Sequence, residues 1–162
     1  MTHAVYDIYR CPLGNLYLIF SGKSLVGVSF MKPPDVPYNK GAADAAFIKE
    51  LDSYFHGAGR DGFSQSIKFL IGTDFEKQVW SVLREISCGE TRTYKWVAEK
   101  LGNPSATRAV GRALSKNPIP IIVPCHRVIE SDGSLGGYSS GTDIKRRLLE
   151  IEYYSKSRNR DG

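Results

Sequence analysis

The pattern of hydrophobic and polar residues changes near the middle of the chain. In the first half, three runs rich in β-branched and aromatic residues are separated by turn-forming residues, as in an antiparallel meander. The runs lie at residues 5–9, 16–20 and 25–30, with turns at 12–15 and 21–24. Phe47, Leu51 and Phe55 then recur at the spacing of one helix face, which predicts a helix over residues 43–55. Residues 31–41 form a loop, and residues 67–71 are compatible with a further short strand.

After residue 72 the hydrophobic residues recur at helical spacing, and four helices are predicted. They lie at residues 73–86, 94–101, 105–115 and 142–152. Thr73 or Asp74, Thr93 and Asn103 are suitable N-caps, and Pro104 suits a first helical position. Two short helices joined by a turn that contains glycine have the outline of a helix-turn-helix.

These elements predict an α+β protein with two domains and a tail. Residues 1–72 would form a small N-terminal antiparallel β-sheet domain with one helix. Residues 73–153 would form a mostly helical C-terminal domain that contains a winged-helix-like helix-turn-helix. The polar and basic residues 154–162 are expected to be disordered. The first half carries no group of catalytic side chains, so its expected role is that of a scaffold.

The charge is unevenly distributed along a chain whose composition is ordinary for a globular protein. Of 162 residues, 22 are Lys or Arg and 17 are Asp or Glu, which gives a net charge of +5. Residues 1–73 carry 7 basic and 6 acidic side chains, whereas residues 74–162 carry 15 and 11. A basic half favours a polyanionic partner, nucleic acid first, although many basic proteins bind no polyanion.

The cysteines and the N-terminus indicate the cellular compartment in which the protein is expected. Cys11, Cys88 and Cys125 form no CxxC pair, and no zinc-ligand spacing links them to the three histidines. We therefore expect reduced thiols, no metal and no cofactor. The N-terminus lacks the features of a signal peptide, and no apolar run approaches the ~20 residues of a membrane span. A cytoplasmic protein, or a nuclear one in a eukaryote, is expected.

The helix after the predicted turn combines small residues with arginines. Ala106, Ala109 and Gly111 would let this helix approach a groove closely, with Arg108 and Arg112 projecting from it. Small residues serve tight helix–helix packing equally well, so both interpretations stay open.

Residues 117–128 carry the strongest chemical signal. The apolar, β-branched run at 119–123 predicts a buried strand that Pro124 would end. Cys125 and His126 follow directly, and a cysteine becomes a nucleophile when a neighbouring base or cation stabilises its thiolate. Most free cysteines are instead small buried hydrophobes, and adjacent side chains on a strand point to opposite faces. Catalysis is therefore a hypothesis at this point.

Two groups of residues follow this stretch. Glycines at 133, 136, 137 and 141 allow close backbone approach to a ligand, and Tyr138 offers a flat face, although a flexible hairpin would use the same residues. Lys145, Arg146 and Arg147 form a basic cluster in the last helix, which we expect to be a solvated face.

Motifs along nearly the whole chain, about residues 4–153, resemble those of the O6-alkylguanine-DNA alkyltransferases. The second half matches at Arg108-Ala109-Val110-Gly111, Asn117-Pro118, Pro124-Cys125-His126-Arg127-Val128 and Gly137-Tyr138. It also matches at Gly72-Thr73-Asp74-Phe75, Val79-Trp80, Gly89-Glu90-Thr91, Tyr94 and Leu148-Leu149-Glu150-Ile151-Glu152. Pro12-Leu13-Gly14 and Tyr54-Phe55-His56-Gly57 fit the weaker signature of the family's first domain.

The resemblance implies a DNA repair function. Such proteins move the alkyl group of O6-alkylguanine, and we expect that of O4-alkylthymine too, from duplex DNA irreversibly onto their own cysteine. The acceptor here would be Cys125, and each molecule would act once. His126 would be the general base through a water, oriented by Glu152, and Asn117 would brace the active-site turn.

The resemblance also implies a DNA interface and a pocket. The damaged nucleotide would be flipped out of the duplex, with Arg108 filling the gap and Tyr94 helping to push. The recognition helix would lie in the minor groove through Ala106, Thr107, Ala109 and Gly111. Tyr138, Ser139, Ser140 and Val128 would wall the pocket. Thr107 departs from the family, where alanine is common. A monomer, cooperative on DNA or not, and no membrane partner are expected.

Two alternative functions stay open. One is a non-catalytic module that binds alkylated DNA, like the alkyltransferase-like proteins, which lack the acceptor cysteine; the presence of Cys125 argues against it. The other is a cysteine hydrolase that uses Cys125 and His126, although no residues mark an oxyanion hole. Turnover discriminates among the three, because a hydrolase cycles, an alkyltransferase stops after one reaction and a binder transfers nothing.

Overall fold

The computed structural model describes residues 3–57, 59 and 61–161, with side chains as far as Lys156 in the last helix. Strands β1 (Ala4–Cys11), β2 (Gly14–Ser21) and β3 (Ser24–Ser29) form an antiparallel sheet in the order β1-β2-β3. Two-residue turns connect consecutive strands, so the predicted meander is confirmed. Leu16, Leu18 and Phe20 are buried because alternate residues of β2 share one face of the sheet.

Helix α1 (Ala45–His56) covers that face of the sheet, as its apolar spacing predicts. Its N-cap is Asp44, whose carboxylate accepts a hydrogen bond from the Phe47 backbone N–H at 2.8 Å. Phe47 packs edge-on against Phe20 of the sheet, with ring centroids 6.3 Å apart. The stretch 67–71 does not form a strand, and a single bridge joins Ile67 to Leu25 instead.

Helices α2 (Asp74–Leu83), α3 (Tyr94–Lys100) and α4 (Thr107–Ser115) form the second half together with the last helix. Thr73 and Glu76 form a reciprocal capping box at the start of α2. Helix α2 ends at Leu83 rather than Ile86, because the chain tightens into three-residue turns that include a bond from Ile86 N to Leu83 O. The predicted α+β class, with a sheet domain before a helical one, is confirmed.

The start of α4 differs from the prediction. Asn103 is not its N-cap, because the helix begins at Thr107 and follows Ala106, which provides no side-chain cap. The Asn103 carbonyl accepts a hydrogen bond from Ala106 N at 3.0 Å, so Asn103 closes a separate turn that Pro104 enters. Trp80 anchors α4 on α2, since its indole N–H donates to the carbonyl of Ala113 at 2.8 Å.

The buried run at 119–123 is a turn and not the predicted strand. Pro118 and Pro120 lack the N–H that a ladder needs, and Ile121 takes a positive φ of 76°. Val123 N instead bonds back to Ile119 O at 2.9 Å. A 3-10 turn (Cys125–Arg127) follows. Two short strands that the sequence pattern missed, β4 (Arg92–Thr93) and β5 (Val128–Ile129), then pair in parallel.

The last helix, α5 (Thr142–Asp161), is longer than predicted. Its second half includes most of the predicted disordered tail, and Gly162 lies outside the described residues. The backbone hydrogen bonds of the helix continue past Glu152, where the sequence loses its apolar stripe. Leu148 of α5 joins a hydrophobic cluster that runs from β1 to α5 without interruption. None of the helices in the described part of the chain is long and apolar enough to cross a membrane.

Candidate active site

The Cys125 thiol is delivered by the turn that replaces the predicted strand. Asn117 braces this turn from both sides: its side-chain N–H donates to Val123 O at 2.9 Å, and its side-chain oxygen accepts from Ile119 N at 3.0 Å. The Cys125 backbone N–H donates to Val123 O at 2.8 Å. The cysteine is only 4% exposed. Its position is therefore set by backbone with little freedom to move.

His126 and Glu152 form a buried pair. Nε2 of His126 lies 2.5 Å from Oε2 of Glu152. Because a carboxylate only accepts hydrogen bonds, this contact assigns the proton of a neutral imidazole to Nε2 and leaves Nδ1 as the acceptor. Nδ1 is buried and has no hydrogen-bond partner among the described residues. The neutral ring thus keeps one nitrogen as a proton acceptor, on the residue that follows Cys125 in the chain.

Two residues that the sequence reasoning did not single out complete this network. The Tyr54 hydroxyl donates to Oε2 of Glu152 at 2.5 Å, and Nε of Arg127 donates to Oε1 at 2.8 Å. Burial by itself would raise the pKa of Glu152, but His126 and Arg127 hold it well below its usual range. Glu152 therefore stays a carboxylate. Tyr54 and Arg127 both lie within the motifs that the chain shares with the alkyltransferases, and this position was the one sign in the sequence that they belong to the site.

The environment of Cys125 contains opposing electrostatic effects. Burial raises the pKa of the Cys125 thiol, whereas the Asn117 amide, the Lys145 ammonium and the Tyr138 hydroxyl act to lower it. Burial and Cys125 raise the pKa of Tyr138 well above its usual value, so its hydroxyl keeps the proton that it can donate towards a thiolate. The thiol is thus mainly protonated at rest, with groups beside it that favour the thiolate.

Lys145 corrects the prediction of a solvated basic cluster. Its side chain is fully buried, while Arg146 and Arg147 on the same helix are exposed. The ammonium donates hydrogen bonds to the carbonyls of Leu135 and Gly137, the latter at 3.1 Å. Lys145 therefore holds the glycine-rich loop, residues 133–141, against α5 and brings a positive charge near Cys125. In the sequence Lys145 is followed directly by Arg146 and Arg147, and nothing in that run distinguishes the buried residue from the two exposed ones.

A cavity of about 540 Å³ opens beside Cys125. Its walls come from α3, α4 and the glycine-rich loop, and they are formed by Tyr94, Thr107, Arg108, Gly111, Leu114, Ser115, Glu130, Gly137, Tyr138 and Ser139. Seven predicted site residues thus meet in one place, namely Cys125, Tyr94, Thr107, Arg108, Gly111, Tyr138 and Ser139. Ala106, Ala109 and Ser140 lie outside the lining, and the Val128 side chain is buried in the core at β5.

Gly136 shapes the side of the cavity that carries Tyr94. It adopts a positive φ of 73°, and an added Cβ would stand 2.9 Å from the Tyr94 hydroxyl. Burial, Glu130 and Cys125 together raise the pKa of Tyr94, so this hydroxyl keeps its proton and can donate a hydrogen bond. Within the described residues, no group of three or more His, Cys, Asp or Glu side chains could hold a metal ion.

Fold and site together define a class of protein in which a buried cysteine lines a cavity, and the second helix of a helix-turn-helix forms one wall of that cavity. Residues 4–69 match the family model described as 6-O-methylguanine DNA methyltransferase, ribonuclease-like domain. Residues 74–154 match the model described as 6-O-methylguanine DNA methyltransferase, DNA binding domain. The chain belongs to the methylated-DNA–protein-cysteine methyltransferase family.

Relatives along the full length agree with this assignment. The methylated-DNA–protein-cysteine methyltransferase of Methanosarcina barkeri is 46% identical over 154 residues, which cover 91% of this chain and 96% of the relative. The Haemophilus influenzae protein of the same name is 37% identical, with 94% and 88% covered. The crystal structure of O6-methylguanine methyltransferase from Mycobacterium tuberculosis superposes with a TM-score of 0.85 at 37% identity, covering 94% of both chains. A structure of the Mycobacterium tuberculosis protein in complex with DNA gives the same TM-score at 38% identity over 93% of both chains.

Proposed function

We propose that this protein repairs O6-alkylguanine in duplex DNA by transferring the alkyl group to Cys125. The observation that carries the proposal is the buried Cys125 in the lining of a cavity that Arg108 and Gly111 of α4 also line. A cavity of about 540 Å³ lies within the usual size range of small-molecule and cofactor pockets. A base inside a duplex cannot reach such a thiol, so the nucleotide has to leave the stack.

The proposed chemistry is a single displacement at carbon. His126 Nδ1 takes the thiol proton through a water, and Glu152 stabilises the imidazolium that forms. The Cys125 sulfur then forms a bond to the alkyl carbon as the bond from that carbon to guanine O6 breaks. The electron pair stays with the base, O6 becomes a carbonyl oxygen again, and N1 takes up a proton as guanine is restored. The product thioether is a poor leaving group, so each molecule reacts once.

The proposed DNA contact rests on the exposed face of α4. Arg108 is exposed at the cavity mouth, where it can enter the space that a flipped nucleotide leaves. Gly111 has room for a side chain within the protein, because an added Cβ would meet only Tyr94, at 3.9 Å. Internal packing therefore does not account for glycine there, whereas close approach of a DNA backbone does. We propose that the protein acts as a monomer in the cytoplasm, or in the nucleus of a eukaryote.

Mass spectrometry of the protein after incubation with a duplex that contains one O6-methylguanine tests this proposal. We expect one methyl group on the peptide that carries Cys125, with modification that saturates at one per protein. Cys125→Ala should transfer nothing and still bind the duplex. An unmodified wild-type protein that still shifts the damaged duplex would favour the damage-binding alternative, and continued turnover would favour a hydrolase.

A further inference from the structure

The Tyr54 hydroxyl and the His126 ring meet at the same oxygen of Glu152. Tyr54 belongs to α1 in the N-terminal half of the chain, and its side chain is fully buried. Its hydroxyl donates to Oε2 of Glu152 at 2.5 Å, and Nε2 of His126 lies 2.5 Å from that same oxygen. Two donors from opposite halves of the chain therefore share one carboxylate oxygen.

Packing and burial keep Tyr54 in the role of a donor. Its ring centroid lies 4.9 Å from that of Phe55 and 5.9 Å from that of Phe63, so aromatic side chains hold the ring in place. Burial and the neighbouring Glu152 raise the pKa of Tyr54 well above its usual value. The hydroxyl therefore keeps its proton and acts on the carboxylate as a donor.

Other titratable and charged groups also surround the Glu152 carboxylate. Arg127 donates from Nε to Oε1 at 2.8 Å and from Nη2 to Oε2 at 3.1 Å. Tyr138 faces Glu152 from the glycine-rich loop, and the Cys88 thiol faces Tyr54 and Arg127. Glu152 is thus a carboxylate whose charge is shared among several donors.

The proposed reaction needs a neutral His126 ring at rest, because Nδ1 has to accept the thiol proton. A carboxylate in contact with an imidazole favours the charged ring, and a charged ring has no acceptor left. Each hydrogen bond that Glu152 accepts from another donor weakens the negative charge that it presents to His126. The Tyr54 hydroxyl acts in this way on the very oxygen that His126 contacts.

We propose that Tyr54 is a positioning residue that acts through Glu152 to keep His126 neutral at rest. The proposal rests on the repair function above and deepens it. Tyr54 lies outside the lining of the cavity beside Cys125, so it acts on the carboxylate and not on the substrate. The N-terminal half thereby sets the readiness of the base that the C-terminal half uses.

Tyr54→Phe tests the proposal, because it removes the hydroxyl and keeps the ring. The measurement is the single-turnover rate of Cys125 methylation by a duplex with O6-methylguanine, from about pH 6 to about pH 9. We expect the pH at which the rate rises to move upward by about half to one pH unit, because Oε2 then stabilises the imidazolium more strongly. Below that pH the rate should fall about three- to tenfold, and the alkaline plateau should match wild type.

Tyr9→Phe is the matched control. Tyr9 is another buried tyrosine of the N-terminal half, and its hydroxyl donates to the carboxylate of Asp52 at 2.6 Å. This variant should lose stability in urea much as Tyr54→Phe does, and it should keep the wild-type pH profile. If Tyr54→Phe slows the reaction by one factor at every pH, Tyr54 has only a structural role and the proposal is overturned. A profile that moves downward in pH overturns it as well.

Nitrogen NMR of the His126 ring gives a readout that needs neither DNA nor a folded variant. Wild type at neutral pH should show a neutral ring with its proton on Nε2, and Tyr54→Phe should show a larger charged fraction. A charged ring in wild type at neutral pH would overturn the proposal even if Tyr54→Phe does not fold. Failure of wild type to methylate Cys125 would reject the repair function itself, whereas the NMR comparison reports the effect of Tyr54 on His126 in either case.

Discussion

The Cys125 thiol sits among groups that oppose and favour its ionisation at the same time. Burial raises its pKa, whereas Asn117, Lys145 and Tyr138 work in the other direction. A thiol that is mainly protonated at rest reacts slowly with solutes in general, because the thiolate is the nucleophile. Reaction then depends on removal of the proton within the site. We propose His126 Nδ1 for that role, because the Nε2 contact with Glu152 leaves Nδ1 as the proton acceptor.

Lys145→Met tests the contribution of the buried cation. Loss of the positive charge removes an interaction that lowers the Cys125 pKa, so the thiolate becomes scarcer at neutral pH. We expect methyl transfer at neutral pH to slow by about tenfold, and the pH at which the rate rises to move upward. The measurement is the single-turnover rate against pH, with the rate of alkylation by iodoacetamide as a second readout.

Arg146→Met is the matched control, because Arg146 follows Lys145 in α5 but is exposed. Its guanidinium pairs with Asp143 and Glu150. It should leave the pH profile unchanged. A Lys145→Met profile that keeps its shape and midpoint while the rate falls would mean that Lys145 only holds the loop through Leu135 and Gly137.

At the scale of elements, α4 resolves the two interpretations of its small residues. Ala113 faces inward, is 1% exposed and receives the Trp80 indole on its carbonyl, so its size serves packing. Gly111 lies at the cavity and has space around it. The same helix therefore uses small residues for both purposes, on different faces.

Gly111→Ala separates folding from DNA contact. Its φ is not in the positive range and the space is open, so alanine should raise the free energy of unfolding by about 0.5–1 kcal/mol through helix propensity. Affinity for duplex DNA should fall, because the added methyl group stands where the backbone of DNA approaches. Urea unfolding and a gel-shift titration measure the two effects. Unchanged DNA affinity would contradict the placement of this face against the duplex.

Arg108→Ala tests the role of the exposed arginine at the cavity mouth. Repair of O6-methylguanine in a duplex should slow by about tenfold or more, because the gap left by the flipped nucleotide is no longer filled. Reaction with the free base O6-methylguanine should change little, since that substrate needs no flipping. Arg10→Ala, an exposed arginine of β1, is the control for lost charge. Equal losses on both substrates would make Arg108 a structural residue.

At the scale of the whole molecule, Glu152 joins the two halves. Its carboxylate receives Tyr54 from α1, His126 and Arg127 from the 3-10 turn, and Gly89 N at 3.4 Å. Arg127 also donates to Ile86 O at 2.6 Å, so the network reaches the turns that follow α2. The sheet domain is thus connected through α1 to the residues that we propose as catalytic.

Glu152→Gln tests this connection through pH. The folded protein holds the Glu152 pKa below its usual value of 4.5, so the unfolded chain binds the extra proton. The stabilisation is therefore present above about pH 4.5 and is lost as the pH falls towards the folded value. Glu152→Gln should lower the free energy of unfolding at neutral pH by about 3 kcal/mol, because Arg127 is left buried without its partner.

Urea unfolding across the acidic range provides the comparison. Wild type should lose stability with falling pH more steeply than Glu152→Gln, while Glu150→Gln, a change at an exposed carboxylate of the same helix, should follow wild type. Parallel curves for wild type and Glu152→Gln would contradict a lowered Glu152 pKa as a source of stability.

The sequence by itself determined the elements whose signals are local. The strands at 5–9, 16–20 and 25–30 follow from runs of β-branched and aromatic residues between turn-forming residues. Helices α1 to α4 follow from helical spacing, with capping residues such as Thr73 and Thr93. The motifs around Cys125 also predicted the family, which the comparisons confirmed. Local backbone preferences and the order of residues in a motif depend only on residues close together in the chain, so both could be predicted from the sequence.

Only the tertiary structure decided what depends on distant residues. The run at 119–123 has the composition of a strand, but Pro118 and Pro120 lack the N–H groups that a sheet ladder needs. Asn117 instead holds the run as a turn through its side-chain hydrogen bonds. Lys145 stands in one basic run with the exposed Arg146 and Arg147, and only its packing against the glycine-rich loop buries it. The contact of Tyr54 with Glu152 spans 98 residues. Burial and long-range hydrogen bonds arise from packing between elements, and periodicity along one element carries no information about them.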